Sequence, residues 1–347
     1  MAPVAFHRAQ LVEVLYNGLA DSAKDKFLLG KKLTDIQSDE HGVSVTCEDG
    51  NTYQGSIVIG ADGVHSKTRQ LMRKLALQSA PSPQWEQDQP FASAYRCMWC
   101  SFPRPSDPGQ GFDTQHKDKS VMYLTGQDRG WIFLYQKLPQ QTRDRVSYTD
   151  SDIQACIEEF KEFPVTDDLK VKDVWEKRLT AGMANLEEGI ASHWSWGRIV
   201  LAGDAAHKFT PNAGVGFNSG IQDIVTLCNG LRSLQSTSPA TLPSGDQSLS
   251  LLTECFGQYE AERKKLIPRD ASRSALTTRV HAWANPLYYL AARYILSAKV
   301  VEYFMLEYLA KWSMKKALVL NYADVDERMK GAVEWDHPLN GPAEKAS

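Results

Sequence analysis

Two glycine-rich stretches hold the residues of this sequence best suited to chemistry. The first, Gly60-Ala61-Asp62-Gly63-Val64-His65-Ser66-Lys67-Thr68-Arg69, follows the apolar run Ser56-Ile57-Val58-Ile59. Glycines at a strand-to-helix junction permit tight turning and close backbone approach, and the following helix offers free N–H groups to an anion. Asp62 is a poor direct phosphate ligand because both groups are negative, so it suits a sugar hydroxyl or a structural hydrogen bond within the turn. The second stretch runs Arg198-Ile199-Val200-Leu201-Ala202-Gly203-Asp204-Ala205-Ala206-His207 and continues through Pro211-Asn212-Ala213-Gly214-Val215-Gly216-Phe217-Asn218. A buried strand over Gly197–Ala202 leads into Asp204, whose carboxylate can accept hydrogen bonds from a chain of sugar hydroxyls. The helix predicted from about Gly216 to Leu234 turns its positive end toward negative charge or an electron-rich ring edge. Together the stretches read as one end of a cofactor cleft, although a bare turn and a helix cap would use the same residue types.

The rest of the chain must position these stretches. With 347 residues, 42% of them hydrophobic and 23% charged, it is long enough for one large core or two fused ones. A net charge of -3 without a Lys/Arg-rich run argues against a nucleic-acid partner. The six cysteines are scattered, and the N-terminus lacks a basic start followed by an apolar stretch. These features point to a reducing, intracellular setting, cytoplasmic or peripheral to a membrane. Cys97-Met98-Trp99-Cys100 has redox or zinc spacing, but a zinc site needs a second ligand pair, so two strand cysteines and no metal are expected.

Helical spacing of Leu11, Val14, Leu15 and Leu19 predicts an amphipathic helix over Arg8–Asp21. Val43–Cys47 and Thr52–Gln54 form a hairpin, and Ser56–Gly60 reads as a strand covered on both faces. A polar loop, Gln78–Pro90, precedes strand-like segments at Ala92–Cys100, Ser120–Leu124 and Trp131–Lys137 and a helix over Asp150–Glu162. This shift suggests an antiparallel sheet domain inserted between two pieces of an α/β domain, with divisions at 1–77, 78–190, 191–235 and 236–347. A Ser/Pro/Thr-rich loop, Ser233–Ser250, leads into a helical C-terminal quarter.

In order and content, Gly-Ala-Asp-Gly-x-x-Ser-x-x-Arg followed by Gly-Asp-Ala-Ala-His and Pro-Asn-x-Gly-x-Gly-x-Asn resembles the class A FAD-dependent monooxygenases. The stretch His207–Asp223 is most similar to the fungal subgroup that epoxidises prenyl chains in indole-diterpene and meroterpenoid biosynthesis. The resemblance covers Val4 to about Leu234 and implies a mixed α/β fold: a Rossmann-like FAD-binding domain, an inserted antiparallel substrate sheet and C-terminal helices. It implies that Arg8, in the phrase Arg-x-x-Leu with Leu11, touches the flavin, although a solvated first-turn residue is the alternative. It places Asp62, Gly63 and Arg69 in a motif serving both FAD and the nicotinamide donor. Gly203 and Asp204 would hold ribityl or pyrophosphate-linked oxygens. Pro211, Ala213 and Gly214 would form the loop beside the flavin, the last two presenting backbone N–H groups. His207 belongs to the same motif or is a satisfied structural histidine. Arg96 and Tyr135 loosely match substrate-activating positions, with Arg96 snorkelling from a sheet edge as the alternative. The implied reaction uses NADPH, FAD and molecular oxygen to epoxidise or hydroxylate an apolar, prenylated or terpenoid substrate.

Members of this family open with a Gly-x-Gly-x-x-Gly βαβ unit that binds the ADP half of FAD, and none precedes Arg8. The FAD-binding domain is therefore expected to be incomplete at its N-terminus. Strands Ser56–Ile59 and Ile199–Ala202 would face an unfilled slot or be forced to rearrange, flavin would be held weakly and solubility would be poor. An inactive or non-redox relative, a cyclase or isomerase, is the alternative. Trp283–Tyr322 is dense in aromatics and leucines, with Lys299, Lys311, Lys315 and Lys316 interspersed. It reads as amphipathic helices covering the FAD domain or lining a substrate entrance, or as a membrane-surface contact over 283–322.

Overall fold

The computed structural model describes residues 7–80, 85, 87–237, 246–323 and 333–337. In chain order its elements are α1 (Arg8–Asn17), α2 (Asp21–Lys24), β1 (Leu33–Ser38), β2 (Val43–Cys47), β3 (Thr52–Gly55), β4 (Val58–Gly60), α3 (Lys67–Ser79), β5 (Ala92–Pro103), β6 (Gly111–His116), β7 (Lys119–Thr125), β8 (Arg129–Thr142), α4 (Asp150–Phe160), α5 (Val171–Trp175), β9 (Thr180–Ile190), β10 (Ser195–Trp196), β11 (Ile199–Leu201), β12 (His207–Lys208), α6 (Gly216–Thr237), α7 (Asp246–His281), α8 (Pro286–Leu290), α9 (Lys299–Phe304) and α10 (Lys311–Met314). The fold is mixed α/β with antiparallel sheets. It divides into a sheet unit, Met1–Lys31 with Ala92–Glu187 and Leu276–Ala298, and an α/β unit, Lys32–Phe91 with Glu188–Ala275 and Lys299–Ser347. The N-terminal helix and residues 276–298 thus group with the sheet, whereas the sequence reading divided the chain at 78 and 190.

In the α/β unit, β4 and β11 pair in parallel, with Val58 opposite Ile199, Ile59 opposite Val200 and Gly60 opposite Leu201. The two strands pair with each other, so of the two only β4 keeps an unpaired edge among the described residues. Strand β11 is central, flanked by β10 and β4, and its three side chains are fully buried against Leu71 and Met72 of α3, Leu227 of α6 and Phe256 of α7. Strand β4 has no partner on its outer edge among the described residues, and Ile59 is 43% exposed. Burial of β4 on both faces is thus corrected, because an edge strand is covered only where a neighbour stands beside it. The hairpin of β2 and β3 forms at the expected residues, with β1 added on its other side.

Gly60 ends β4 where the backbone must pass closest to the helix that follows. A Cβ there would lie 2.7 Å from Thr68 Cγ2 and 2.9 Å from Leu201 Cδ2. Gly60→Ala is expected to lower unfolding free energy by about 1–3 kcal/mol through overpacking, seen as a lower urea midpoint. Gly216→Ala, which meets open space, should leave the midpoint in place or raise it.

In the sheet unit the strands run in the order β9-β5-β8-β7-β6. One face is closed: Met98, Cys100, Phe102, Val121, Tyr123, Ile132 and Leu134 bury against Cys156, Ile157 and Phe160 of α4 and Val171 and Val174 of α5. Helix α4 starts at a capping box in which Thr149 and Asp152 exchange hydrogen bonds. The other face carries Trp99, Met122, Trp131 and Phe133, which are half-buried or exposed. Cys97 and Cys100, three residues apart on one strand, point to opposite faces and cannot chelate together. Both are free thiols, with burial pushing Cys97 well up and Cys100 up to about 12.

Two expected loops are shorter than the sequence suggested. Helix α3 runs to Ser79 and α6 to Thr237, while α7 begins at Asp246. Parts of the loops, residues 81–84, 86 and 238–245, lie outside the described residues. The Trp283–Tyr322 stretch holds two helical runs, 286–296 and 299–314, in which short α-helices are continuous with π-helical turns at Ala291–Leu296 and Met305–Ala310. Among the described residues no helix is long and apolar enough to cross a membrane.

Candidate cofactor site

Both glycine-rich stretches lie in the α/β unit, at the carboxyl ends of the paired strands β4 and β11. The N–H of Ala202 donates to the Gly60 carbonyl (3.0 Å), which joins the two strand ends. Asp62 is turned back onto its own loop. Its carboxylate accepts hydrogen bonds from Ser66 Oγ (2.5 Å), Thr68 N (2.9 Å) and Thr68 Oγ1 (3.0 Å). Ser66 Oγ in turn accepts from Arg69 N at 2.9 Å and caps α3. Of the two roles open to Asp62, the geometry displays the structural hydrogen bond.

Arg69 is 6% exposed. Its Nη1 donates to the Ala205 carbonyl (2.8 Å) and its Nη2 to the Val64 carbonyl (2.7 Å), while the guanidinium lies 4.8 Å from the centre of the Phe91 ring. It is therefore a strut between the first stretch and the second. A guanidinium fork suits this task because it reaches two carbonyls in different directions.

In the second stretch Gly203 takes φ +61° and opens a 3₁₀ turn over Gly203–Ala205. Another 3₁₀ turn, Pro211–Ala213, ends at Gly214 with φ +63°, and α6 starts two residues later. A Cβ added at Gly203, Gly214 or Gly216 would meet no atom within 4 Å. These backbones border open space, and left-handed φ at Gly203 and Gly214 is a conformation that glycine adopts at little cost. Asp204 Oδ2 accepts a hydrogen bond from Lys208 Nζ at 2.6 Å, and the pair is partly exposed at 38% and 27%.

Beneath this loop sits a buried network that sequence reasoning missed. Asp223, on the inner face of α6, is fully buried. Its Oδ2 accepts from the Gly203 N–H (2.8 Å) and from His207 Nε2 (2.6 Å), and its Oδ1 accepts from Arg263 Nε of α7 (2.7 Å). Arg263 Nη2 also donates to the Ser219 carbonyl at 3.1 Å. Burial alone would raise the Asp223 pKa, but the His207 hydrogen bond and the Arg263 charge hold it below the ordinary carboxylate value. His207 packs between Trp194 and Phe209. Its bond to Asp223 makes it a positioning residue for the glycine turn. The sequence signal was a polar stripe, Ser219, Asp223 and Thr226, at helical spacing on a face that also carries Leu227.

The remaining candidates stand in the sheet unit. Arg8 begins α1, none of whose residues is buried, and lines an open groove of about 760 Å³ with Val12, Tyr16, Phe27 and Leu29. His7, just before it, stacks on Trp131 with ring centres 6.0 Å apart. Arg96 lies opposite Gln136 in the β5–β8 pair, and Cys97 lies opposite Tyr135. Side chains alternate along a strand, so Arg96 and Tyr135 project from opposite faces. The two therefore do not share a face of the sheet. Arg96 Nε and Nη2 donate to Gln136 Oε1 (2.8 and 2.6 Å), and Gln136 Nε2 donates to Glu159 of α4 (2.6 Å), so Arg96 belongs to the helix-covered face. Tyr135 is completely buried and its hydroxyl has no hydrogen-bond partner. Among the described residues no group of three or more His, Cys, Asp or Glu side chains is placed to hold a metal.

Paired glycine loops at the ends of adjacent parallel strands define a dinucleotide-binding class of α/β protein. Residues 3–242 match the FAD binding domain family, and the chain belongs to the FAD-dependent monooxygenases that carry this domain. It is 44% identical over 200 residues to the FAD-dependent monooxygenase SAT1 of Stachybotrys chartarum, covering 57% of this chain and 66% of that protein. It is 31% identical over 330 residues to the FAD-dependent monooxygenase verC2 of Penicillium polonicum, covering 93% of this chain and 83% of that protein. Among solved structures, Klebsiella pneumoniae HpxO complexed with FAD and uric acid superposes with a TM-score of 0.61 at 20% identity, over 82% of this chain and 66% of that one. Against SAT1 and two further fungal relatives, the chain spans 58% to 66% of their length.

Proposed function

We propose that this chain binds FAD and takes part in an NADPH- and oxygen-dependent epoxidation or hydroxylation of an apolar substrate, terpenoid or meroterpenoid in kind, in fungal secondary metabolism. The observation that carries this reading is the cradle itself: Gly203 and Gly214 hold left-handed backbone against open space where β11 ends, beside the Asp62 turn at the end of β4. The residues present fit a flavin dinucleotide. Asp204 would accept hydrogen bonds from the ribityl chain, and the loop Pro211, Ala213 and Gly214 would bring backbone N–H groups to the ring. Asp62, Gly63 and Arg69 would shape the neighbouring turn. When bound, FAD supplies the redox chemistry with NADPH and oxygen. The protein supplies the turn geometry, the charge at Asp204 and the electrostatics of the α6 N-terminus.

The test is retention of flavin absorbance after gel filtration of the chain with excess FAD, followed by NADPH-dependent oxygen uptake with and without apolar alkenes. Asp204→Ala is expected to weaken FAD binding about 10-fold or more, the loss of a hydrogen bond to a charged group. Lys208→Ala should leave binding unchanged or tighten it, because Asp204 loses a competing partner. Failure of the chain to retain any flavin, with Asp204→Ala indistinguishable from it, would overturn the reading.

A further inference from the structure

Helix α6 carries the buried network on its inner side and a clamp for a C-terminal segment on another. Asp223, on the inner side, accepts from the Gly203 N–H and from His207. Gln222, the residue before it, is half-buried and pairs with the backbone of Leu318. Its Oε1 accepts from the Leu318 N–H (2.7 Å) and its Nε2 donates to the Leu318 carbonyl (3.1 Å). Two turns further along the helix Asn229 does the same, donating from Nδ2 to the Val319 carbonyl (2.9 Å) and accepting at Oδ1 from the Asn321 N–H (3.1 Å). A side-chain amide offers an acceptor and a donor side by side, so each of the two grips main chain as a neighbouring strand would.

The gripped segment needs such partners. Residues 318–320 belong to no helix or strand and 321–322 form a turn, so their backbone groups have no ladder of their own. Side chains add to the contact. The Arg232 guanidinium lies 5.8 Å from the centre of the Tyr322 ring, and partial burial and the adjacent Cys228 thiol, to which it hydrogen-bonds, hold the Tyr322 hydroxyl above its ordinary pKa. Just upstream, the Arg269 guanidinium of α7 lies 5.3 Å from the centre of the Trp312 ring, which anchors the chain before it crosses α6.

We infer that residues 318–322 are a strap that positions the flavin site: docked on Gln222 and Asn229 it fixes α6 and, through Asp223, the Gly203 turn, so that strap docking and flavin binding favour each other. Gln222 and Asp223 are consecutive residues of one helix. A slide or roll of α6 that takes Gln222 off Leu318 therefore also takes Asp223 off the Gly203 N–H. Gly203, at φ +61° with open space where a side chain would stand, has no side chain of its own to hold the turn. The strap acts through the helix, which makes Gln222 and Asn229 positioning residues. Coupling of this kind is reciprocal: the factor by which a docked strap raises flavin affinity is the factor by which bound flavin favours docking. The inference rests on the FAD-binding reading above and adds a second element that governs the same site.

Cys228 reports the strap directly. All six cysteines lie among the described residues, five are buried, and Cys228, half-buried, meets Tyr322 of the strap. It stands about 18 Å along α6 from Gly216, too far for bound flavin at the helix N-terminus to shield it by contact. The full chain treated with dithionitrobenzoate should show one fast-reacting thiol, missing from Cys228→Ser. Saturating FAD is expected to slow that thiol about 5-fold or more, with half the effect at the FAD concentration that half-quenches flavin fluorescence. Gln222→Leu keeps a helix-forming residue and removes both bonds to Leu318. It should speed the thiol without flavin, weaken FAD binding by a factor similar to the wild-type slowing, and abolish the response of the thiol to FAD. Leu318→Pro deletes the strap's N–H and leaves α6 untouched, and it should move all three readouts the same way. Circular dichroism checks the fold of both variants. A contact that only stabilises the fold would lower the urea midpoint and leave the thiol's response to FAD intact. A thiol rate indifferent to saturating FAD, or wild-type FAD affinity in both variants, would overturn the inference and leave the proposed function standing. A wild-type chain that quenches no flavin fails the proposed function, and the coupling with it, so the fluorescence titration tells the two failures apart.

Discussion

Asp223→Ala is expected to lower unfolding free energy by about 3–5 kcal/mol, read as a large fall in the urea midpoint. The carboxylate is fully buried and accepts from Gly203, His207 and Arg263 together. Its removal leaves the Arg263 guanidinium, 2% exposed, without its carboxylate in a low-dielectric site and strips the Gly203 N–H of its acceptor. Asp223→Asn should lose nearly as much, because shape is kept but charge is not. Asp223→Asn combined with Arg263→Met should recover part of the loss, since two charges are removed together. The pH dependence has a definite direction. A carboxylate whose folded pKa is depressed contributes stability that is present above its unfolded value, near 3.8, and is lost as pH falls through the lower folded value. Wild-type stability should therefore fall below that pH with a component missing from Asp223→Asn. A loss under about 1 kcal/mol for Asp223→Ala, the level of an ordinary neutral hydrogen bond, would rule out the network as a stabilising unit.

The sequence was most readable where backbone chemistry dominates. The β-branched run before Gly60 and the apolar run before Gly203 each fix a strand, and the glycines after them fix turns that few other residues could make. Strand β6, with the sequence Gly-Phe-Asp-Thr-Gln-His, lacks apolar alternation because it is an outer strand with much of its surface exposed. Strand β9 is partly buried along most of its length instead of alternating, so period two does not show. The site divided in the same way. Gly203, Gly214 and Asp204 announce themselves by type, whereas the buried triad under them joins His207 and Asp223 to Arg263 on α7, a tertiary contact that no local window contains. Arg96 and Tyr135 drew notice each as a polar residue on a strand. Only the pairing register, which sets the face of every side chain at once, shows that they point apart.

Arg69→Ala is expected both to destabilise the fold, by about 2–4 kcal/mol, and to weaken FAD binding by about 10-fold or more, because one side chain holds the two glycine loops together. Two carbonyls, Val64 in the first loop and Ala205 in the second, accept from its guanidinium, which lies 4.8 Å from the centre of the Phe91 ring. Arg69→Lys keeps the charge and much of the length but has no planar fork, so it should restore less than half of either loss. A double-mutant cycle distinguishes a strut from a distant stabiliser. If Arg69 acts by setting the position of the Asp204 loop, Arg69→Ala and Asp204→Ala together should weaken FAD binding by less than the product of their separate effects, since a displaced carboxylate has little left to lose. Additive effects in that cycle, or a lysine variant equal to wild type, would separate the buried arginine from the cofactor loop. Such a result would leave the two loops joined through the parallel pairing of β4 with β11, where Gly60 stands opposite Leu201 and accepts from the Ala202 N–H.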